Sequence, residues 1–196
     1  MNKAVFLDRD GVINEMVHHR ETGIIDSPNN VDEFVILLDV GKAINKFHEL
    51  GFKVIIVSNQ PGIAKDKFTM KIFEEVKNKM KNELAKTDSF VDAEYYCLHH
   101  PEGRNKEYSM VCDCRKPKPG LILKAAKEND IDLANSWMIG DGTTDIQAGH
   151  SAGCKTVLIG RMKCDLCNYF EDICVKPNFI APNLYSASLI IEKEVR

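Results

Sequence analysis

The chain has 196 residues, of which 44% are hydrophobic and 28% charged, with a net charge of -3 at pH 7. This length and composition predict one soluble globular domain, residues 1–196, with a core that needs no disulfide staples. The charge gives no general attraction to nucleic acid or anionic membranes, and no apolar run approaches the length that spans a bilayer.

The first predicted element is a short apolar strand at residues 4–7 that ends at two carboxylates. Its bounded apolar run is typical of a strand buried on both faces of a parallel sheet. Asp8 and Asp10 follow at the carboxyl end, where ligands of open α/β sheets bind, and Gly11 lets the backbone turn. Two carboxylates this close need a cation or hydrogen-bond donors to stay ionised. Alternatively, the stretch is only a polar turn in which Arg9 neutralises a neighbour.

Helices and strands alternate along the rest of the chain. Apolar spacing predicts helices near 37–47, 69–86 and 119–130, the second with a buried stripe that begins at Met70. We expect Gly51 to close the first helix and Pro119 to be the first residue of the third. Further strands are predicted at 54–57, 93–97, 136–139 and 155–159, with a short helix before the last. The alternation predicts an α/β fold, a Rossmann-like three-layer α/β/α sandwich with a central parallel sheet.

Polar side chains follow four of the predicted strands. Beyond the two carboxylates already named, they are Ser58, Asn59 and Gln60, then Arg115 and Lys116, then Asp141 and Asp145. We expect all of them on one rim, because the carboxyl ends of parallel strands meet at one edge of a sheet. Carboxylate oxygens suit Mg²⁺, and a carboxylate can accept a phosphoryl group as an aspartyl-phosphate. The pattern predicts Mg²⁺-dependent phosphoryl transfer, with Lys116 and Ser58 stabilising the phosphoryl oxygens.

The four motifs also resemble, in order, those of the haloacid dehalogenase (HAD) superfamily of phosphatases. The matching stretches are Asp8-Arg9-Asp10-Gly11-Val12-Ile13-Asn14, Ser58-Asn59-Gln60, Arg115-Lys116-Pro117 and Gly140-Asp141 through Asp145. More narrowly, they are similar to the branch that contains the D,D-heptose 1,7-bisphosphate and histidinol-phosphate phosphatases. No separate cap domain is expected, since the spans between the motifs are too short for one.

The resemblance implies a role for most of these residues. Asp8 would be the nucleophile and Asp10 the general acid and base, while Ser58 and Lys116 would stabilise the phosphoryl group. Mg²⁺ would be held by Asp8, by Asp10 through its backbone carbonyl, and by Asp141. The resemblance also implies substrate contacts by Asn59 and Arg115, and we further expect contacts by Gln60, Asn14 and His18. For His18 the alternative is a side chain that only faces solvent. For Arg115 the alternative is a surface salt bridge.

A second signal lies in the loop at about 97–114. Cys97-Leu98-His99 and Cys112-Asp113-Cys114 offer three thiols and an imidazole as two close pairs, a set suited to tetrahedral zinc. Such a closed site is structural, and it would clip a loop that is costly to order, directly before Arg115 and Lys116. The same branch of the superfamily carries these pairs. Ordinary reduced cysteines are the alternative, and His100 is the lesser ligand candidate.

The remaining cysteines indicate no further metal site. Cys164 and Cys167, with Cys174 nearby, form one close pair without a second, so we expect reduced thiols on a loop. Cys154 is expected to be a small core residue. An odd number of cysteines, together with Met1-Asn2-Lys3 leading straight into the first strand, predicts a reduced cytoplasmic protein without a signal peptide.

Substrate selection falls to the loops. The polar segment 15–35, with His18, His19 and Arg20, is expected to form one wall of the site, and the zinc loop the other. The long zinc loop resembles those of the heptose bisphosphate enzymes. One departure is Gly142, at a position where those enzymes carry a lysine.

The expected activity is therefore that of a Mg²⁺-dependent phosphomonoester hydrolase with a structural zinc. Its expected substrate is D-glycero-D-manno-heptose 1,7-bisphosphate, as a 7-phosphatase in carbohydrate metabolism; histidinol phosphate or another small phosphorylated metabolite is the alternative. A phosphorylatable receiver module would also combine an acidic pocket with a lysine, but Asp10 would hasten the dephosphorylation that a receiver needs to be slow. A binding module without catalysis has little support, since no motif carboxylate is missing. No nucleic acid or membrane partner is expected, and we expect a monomer.

Overall fold

A computed structural model describes residues 1–19, 23–160 and 174–195 of the chain. The strands are β1 (Lys3–Leu7), β2 (Val17–His19), β3 (Ile24–Asp26), β4 (Phe52–Asn59), β5 (Ala93–Cys97), β6 (Trp137–Gly140), β7 (Lys155–Ile159) and β8 (Phe179–Ala181). The helices are α1 (Val40–Glu49), α2 (Met70–Ala85), α3 (Gly120–Asn129), α4 (Thr143–Ala152) and α5 (Leu184–Val195), with a 3-10 turn at Leu133–Asn135.

Six of the strands form one parallel sheet in the order β5, β4, β1, β6, β7, β8. The central strand β1 pairs with β4 on one side and β6 on the other, so that Leu7 lies opposite both Ile56 and Ile139. The polar residues that follow these three strands therefore emerge beside one another at one edge of the sheet.

Helices cover both faces of the sheet, which confirms the predicted three-layer α/β/α fold. Alternate residues of β1 enter different halves of the core, because successive side chains of a strand point to opposite faces. Val5 packs with buried residues of α1, α2 and α5, whereas Phe6 packs with those of α3 and α4. The sheet is thus buried on both sides, as the apolar runs of its strands predict.

The structure shifts several predicted boundaries. α1 begins at Val40, because Asp39 takes a left-handed backbone with φ 61° that interrupts the predicted periodicity. Met70 is 40% exposed, since it is the first residue of α2 and precedes the buried stripe. Pro119 is the residue before α3 rather than its first. The hairpin of β2 with β3, and β8 with α5 in the tail, were not predicted.

The structure describes only some of the cysteines outside the loop at 97–114. Cys154 is 7% exposed in the core, as predicted, and Cys174 is exposed. Cys164, Cys167 and Arg20 lie outside the described residues. Within the described ranges, no helix is both long and apolar enough to cross a membrane.

Candidate active site and metal centre

Three carboxylates meet at the sheet edge where β1 and β6 end. One oxygen each of Asp8, Asp141 and Asp145 lies within 4.8 Å of the others. Asp8 directly follows β1, Asp141 directly follows β6, and Asp145 lies in the first turn of α4. Adjacent parallel strands thus bring together residues more than 130 positions apart, as the sequence predicts.

Lys116 lies against this cluster and is almost fully buried. Its Nζ is 2.9 Å from Oδ1 of Asp8 and 2.5 Å from Oδ1 of Asp145, and it donates to the Val57 carbonyl at 2.9 Å. Burial alone would lower the pKa of Lys116, but the negative charges of Asp145 and Asp8 outweigh it and raise that pKa. The ammonium is therefore charged and fixed beside the predicted nucleophile.

The cluster carries more negative charge than Lys116 can balance. Burial, followed by the charges of Asp8 and Asp145, raises the pKa of Asp141 to about 7. Burial also raises the pKa of Asp145, to about 6, against the opposing charge of Lys116. Three ionised carboxylates beside one ammonium leave two negative charges, which a divalent cation would neutralise. Oxygen ligands of this kind fit Mg²⁺.

Gly11 makes room for this cluster. Its backbone has φ +78°, and an ideal Cβ there would overlap Oδ2 of Asp141 and lie 2.6 Å from its Cγ. Gly11 of the first motif therefore leaves the space that the Asp141 carboxylate of the fourth motif occupies.

Asp10 faces a different set of partners. Its Oδ1 accepts from Nε and Nη2 of Arg9 at 3.0 and 2.9 Å and from Nδ2 of Asn14 at 2.9 Å. Its Oδ2 accepts from Nε2 of Gln60 at 2.6 Å. Burial would raise the pKa of Asp10, but the charge of Arg9 and hydrogen bonds from Asn14, Gln60 and Ser27 lower it. Asp10 is thus ionised and held on two sides.

Two of the predicted substrate contacts therefore have other partners in the structure. Asn14 is fully buried and Gln60 is 1% exposed, and both donate to Asp10. These contacts make them supports for Asp10. Periodicity and motif position do not reveal such a role, because it depends on burial.

Asn59 and Ser58 end β4 beside the carboxylate cluster. The Asn59 side chain donates to the Lys116 carbonyl and accepts from the Lys116 N–H, both at 3.0 Å. Its amide thus holds the backbone that carries the lysine. Ser58 is 1% exposed, and its Oγ accepts from Nε2 of Gln60 at 3.2 Å.

The predicted zinc ligands form a compact cluster. The three sulfurs of Cys97, Cys112 and Cys114 are 3.2–3.6 Å apart, and Nδ1 of His99 is 3.4 Å from Sγ of Cys114 and 3.9 Å from Sγ of Cys97. These separations are far too long for a disulfide, which needs about 2.05 Å. A tetrahedral zinc requires edges of about 3.8 Å between sulfurs and about 3.6 Å between sulfur and nitrogen. The three sulfurs lie closer together than those edges, and all four donor atoms lie within 4.8 Å of one another, close enough to surround one zinc ion.

Burial and mutual contacts shift the pKa values of the three thiols in different directions. Burial raises the pKa of Cys97 and of Cys114, whereas hydrogen bonds from its two neighbours outweigh burial and lower the pKa of Cys112. A metal would displace the protons that remain, because zinc binds the thiolate form. His100 is not part of the cluster; its Nδ1 accepts from the Glu102 N–H at 3.1 Å.

The other two predicted substrate contacts lie at the margins of the site. Arg115 is half-buried and donates through Nη1 to the His99 carbonyl at 3.3 Å, and it forms no ion pair with any residue that the structure describes. His18 is exposed on β2. The sequence analysis named Arg9 only as part of a possible polar turn and Asp145 only as one polar residue of the rim. The structure adds the buried ion pairs that these two residues form, Arg9 with Asp10 and Asp145 with Lys116.

Known proteins are similar to this chain in sequence and, for a solved structure, in fold. A sequence profile for HAD-hydrolase-like proteins matches residues 113–187. The D-glycero-beta-D-manno-heptose-1,7-bisphosphate 7-phosphatase of Escherichia coli K12 is 42% identical over 158 residues, which are 81% of this chain and 78% of that protein. The enzyme of the same name from Haemophilus ducreyi is 40% identical over 160 residues, 81% of this chain and 83% of that one. The crystal structure of a D,D-heptose 1,7-bisphosphate phosphatase from B. bronchiseptica, complexed with magnesium and phosphate, has a TM-score of 0.78 at 28% identity, covering 98% of this chain and 99% of that one.

Proposed function

The chain belongs to the HAD-like phosphatases, and we propose that it removes the C7 phosphate of D-glycero-D-manno-heptose 1,7-bisphosphate in a Mg²⁺-dependent reaction. The observation that carries this proposal is the cluster of Asp8, Asp141 and Asp145 around Lys116, in a chain 42% identical to an enzyme of that name. The geometry supports the chemistry, and the relatives support the substrate.

Asp8 is proposed as the nucleophile. Its side chain is 15% exposed, so it can reach a substrate while Lys116 and the Arg9 N–H, 2.8 Å from Oδ1, fix its orientation. An Asp8 oxygen would bond to phosphorus as the bond to the leaving oxygen breaks, giving an aspartyl-phosphate. Lys116 and Ser58 would stabilise the phosphoryl oxygens as their charge shifts.

Asp10 is proposed as the general acid and base. It would protonate the leaving alkoxide and then take a proton from the water that hydrolyses the aspartyl-phosphate. In the free protein its lowered pKa makes it a base. The negative charge of a bound phosphate acts in the opposite direction on that pKa, and so favours the protonated form that the first step needs.

Both proposed metals have donor sets that fit them. Asp8 and Asp141 would hold Mg²⁺ with the Asp10 carbonyl, and Asp145 would anchor Lys116 beside it. When bound, Mg²⁺ neutralises oxygens that would otherwise repel the incoming phosphate. The Cys97, His99, Cys112 and Cys114 cluster would hold a structural zinc that orders the loop ending at Arg115.

The proposal is tested by measuring phosphate release, with Mg²⁺, from both anomers of heptose 1,7-bisphosphate, histidinol phosphate and other sugar phosphates. Asp8→Asn serves as the blank. We expect a large preference for one heptose anomer. Comparable slow turnover of every substrate would keep the phosphatase chemistry and reject the heptose assignment.

A further inference from the structure

Arg9 is a buried cation with an unusual environment. The residue is 1% exposed, and its side chain lies against an apolar wall of Pro28, Phe68, Ile72, Phe73 and Val76. Its Nη1 has no hydrogen-bond partner among the described residues. Burying an arginine in this way is costly unless a paired anion compensates it.

The paired anion is Asp10, which is two positions beyond the proposed nucleophile. Arg9 donates to Oδ1 of Asp10 from Nε and Nη2, and Nη2 also reaches Oδ2 of Asp10 at 3.2 Å. The same Nη2 donates to Oε1 of Gln60 at 2.8 Å. Gln60 in turn donates to Oδ2 of Asp10 at 2.6 Å, so the three side chains close a ring.

The ring fixes the plane of the carboxylate as well as its charge. A guanidinium fork grips a carboxylate in one orientation, which a lysine ammonium does not. Asn14 adds a further contact to Oδ1. Since both oxygens have partners with fixed positions, rotation of the carboxylate would break several hydrogen bonds at once. Buried ion pairs add little net stability compared with apolar replacements, so this arrangement is better explained by orientation than by stability.

We propose that Arg9, together with Gln60, is a positioning residue that aims the Asp10 carboxylic group at the leaving oxygen of the substrate. The inference rests on the proposed function, in which Asp10 transfers that proton. In the step concerned, the Asp8 oxygen bonds to phosphorus, the bond from phosphorus to the leaving oxygen breaks, and that oxygen takes the proton of Asp10.

The test uses phosphate monoesters whose leaving groups differ in their need for a proton. p-Nitrophenolate leaves without one, phenolate benefits from one, and a sugar alkoxide requires one. We would compare kcat/KM across p-nitrophenyl phosphate, phenyl phosphate and a sugar phosphate, because kcat/KM reports the transfer to Asp8 and not the later hydrolysis. Loss of a general acid costs about 10²–10⁴-fold for the poor leaving group and far less for the good one.

The variants are Arg9→Met, which removes the fork, and Arg9→Lys, which keeps the charge. We expect Arg9→Met to lower kcat/KM at least about 100-fold for the sugar phosphate and less than about 10-fold for p-nitrophenyl phosphate. The kcat/KM values of Arg9→Lys should lie closer to those of Arg9→Met than to those of the wild type, because a lysine lacks the guanidinium fork. If Arg9→Met does not fold, Gln60→Met removes one side of the ring and should show the same dependence on the leaving group in weaker form.

Two controls separate the possible failures. Lys46→Met breaks the half-buried Lys46 to Glu192 ion pair, 2.8 Å long, on the α1–α5 face, and should not change the dependence on the leaving group. Asp10→Asn removes the proposed acid, so it should lower kcat/KM about 10²–10⁴-fold for the sugar phosphate and far less for p-nitrophenyl phosphate. If it does, and the Arg9 and Gln60 variants lower kcat/KM by equal factors for all three substrates, the positioning role is overturned. If Asp10→Asn itself shows no dependence, the proposed acid is wrong and the positioning role falls with it.

Discussion

Replacing Gly11 by alanine should disable the proposed Mg²⁺ site through a single methyl group. The new Cβ would overlap Oδ2 of Asp141 and lie 2.6 Å from its Cγ. Ordinary contacts between such atoms are about 3.5 Å, so the Asp141 carboxylate must shift by roughly 1 Å. A misplacement of about 1 Å in an active site can cost on the order of 100-fold in rate.

The chain offers a matched control in Gly51. Its backbone has the same φ of +78°, but a Cβ there meets nothing within 4 Å. Both alanines pay for a left-handed backbone, roughly 1–2 kcal/mol in the free energy of unfolding, partly offset by a stiffer unfolded chain. That corresponds to a fall in Tm of about 2–4 °C per kcal/mol for a protein of this size. Only Gly11→Ala should also impair the site.

The assay is phosphatase activity as a function of Mg²⁺ concentration, with Tm measured with and without Mg²⁺. We expect Gly11→Ala to need at least about 10-fold more Mg²⁺, as when the support of a metal ligand is removed, and to turn over on the order of 100-fold more slowly. Gly51→Ala should match the wild type in its Mg²⁺ requirement and in its turnover. If the two variants have the same Mg²⁺ dependence and turnover, Asp141 is not the ligand that Gly11 accommodates.

Three further outcomes are expected. Asp8→Asn should reduce turnover on the order of 10³-fold or more while keeping the fold, and near-normal activity would exclude the covalent step. Cys112→Ser should lose zinc, measured by elemental analysis, and more than about 3 kcal/mol of unfolding free energy, whereas Cys174→Ser, on an exposed cysteine, should lose neither. Without Mg²⁺, Tm should fall as pH rises from about 4 to about 7, because the raised pKa values of Asp141 and Asp145 make the folded protein bind more protons than the unfolded one. Mg²⁺ should reduce this slope of Tm against pH. An equal slope with and without Mg²⁺ would mean that Asp141 and Asp145 do not interact with the metal.

The parallel sheet could be predicted from sequence because each central strand is an apolar run bounded by polar residues. β5 and β7 lie where the pattern predicts them, and β1, β4 and β6 differ only at their ends. The β2–β3 hairpin could not be predicted, since its three-residue strands are too short for a periodic pattern and their side chains are exposed or half-buried. β8 has the same difficulty, because it too has only three residues.

The members of the site could be predicted, but not all of their partners. Asp8 and Asp141 directly follow adjacent strands that the pattern locates, so their convergence follows from the topology, whereas Lys116 reaches them from the end of the loop after β5. Asn14 and Gln60 are predicted from the sequence as substrate contacts, yet the structure buries both against Asp10. Burial of a polar side chain depends on which partner satisfies it, and that partner is more than 45 residues away in the case of Gln60.

The Cys97, His99, Cys112 and Cys114 cluster and Lys116 are linked through β4 and β5. Asn59 pairs with Cys97 in the sheet, and the Gln60 N–H donates to the Cys97 carbonyl at 2.7 Å. The same Asn59 grips both backbone groups of Lys116, two residues after Cys114. The loop at 97–114 is therefore fixed at both ends to the strand that carries Ser58 and Asn59. Lys116 itself lies outside the described strands and helices, so a metal that draws Cys97 and Cys114 together would help to hold its backbone, while Val57, Asp8 and Asp145 hold its ammonium. Removal of the proposed zinc by a chelator should therefore lower turnover under conditions in which the sheet is still folded.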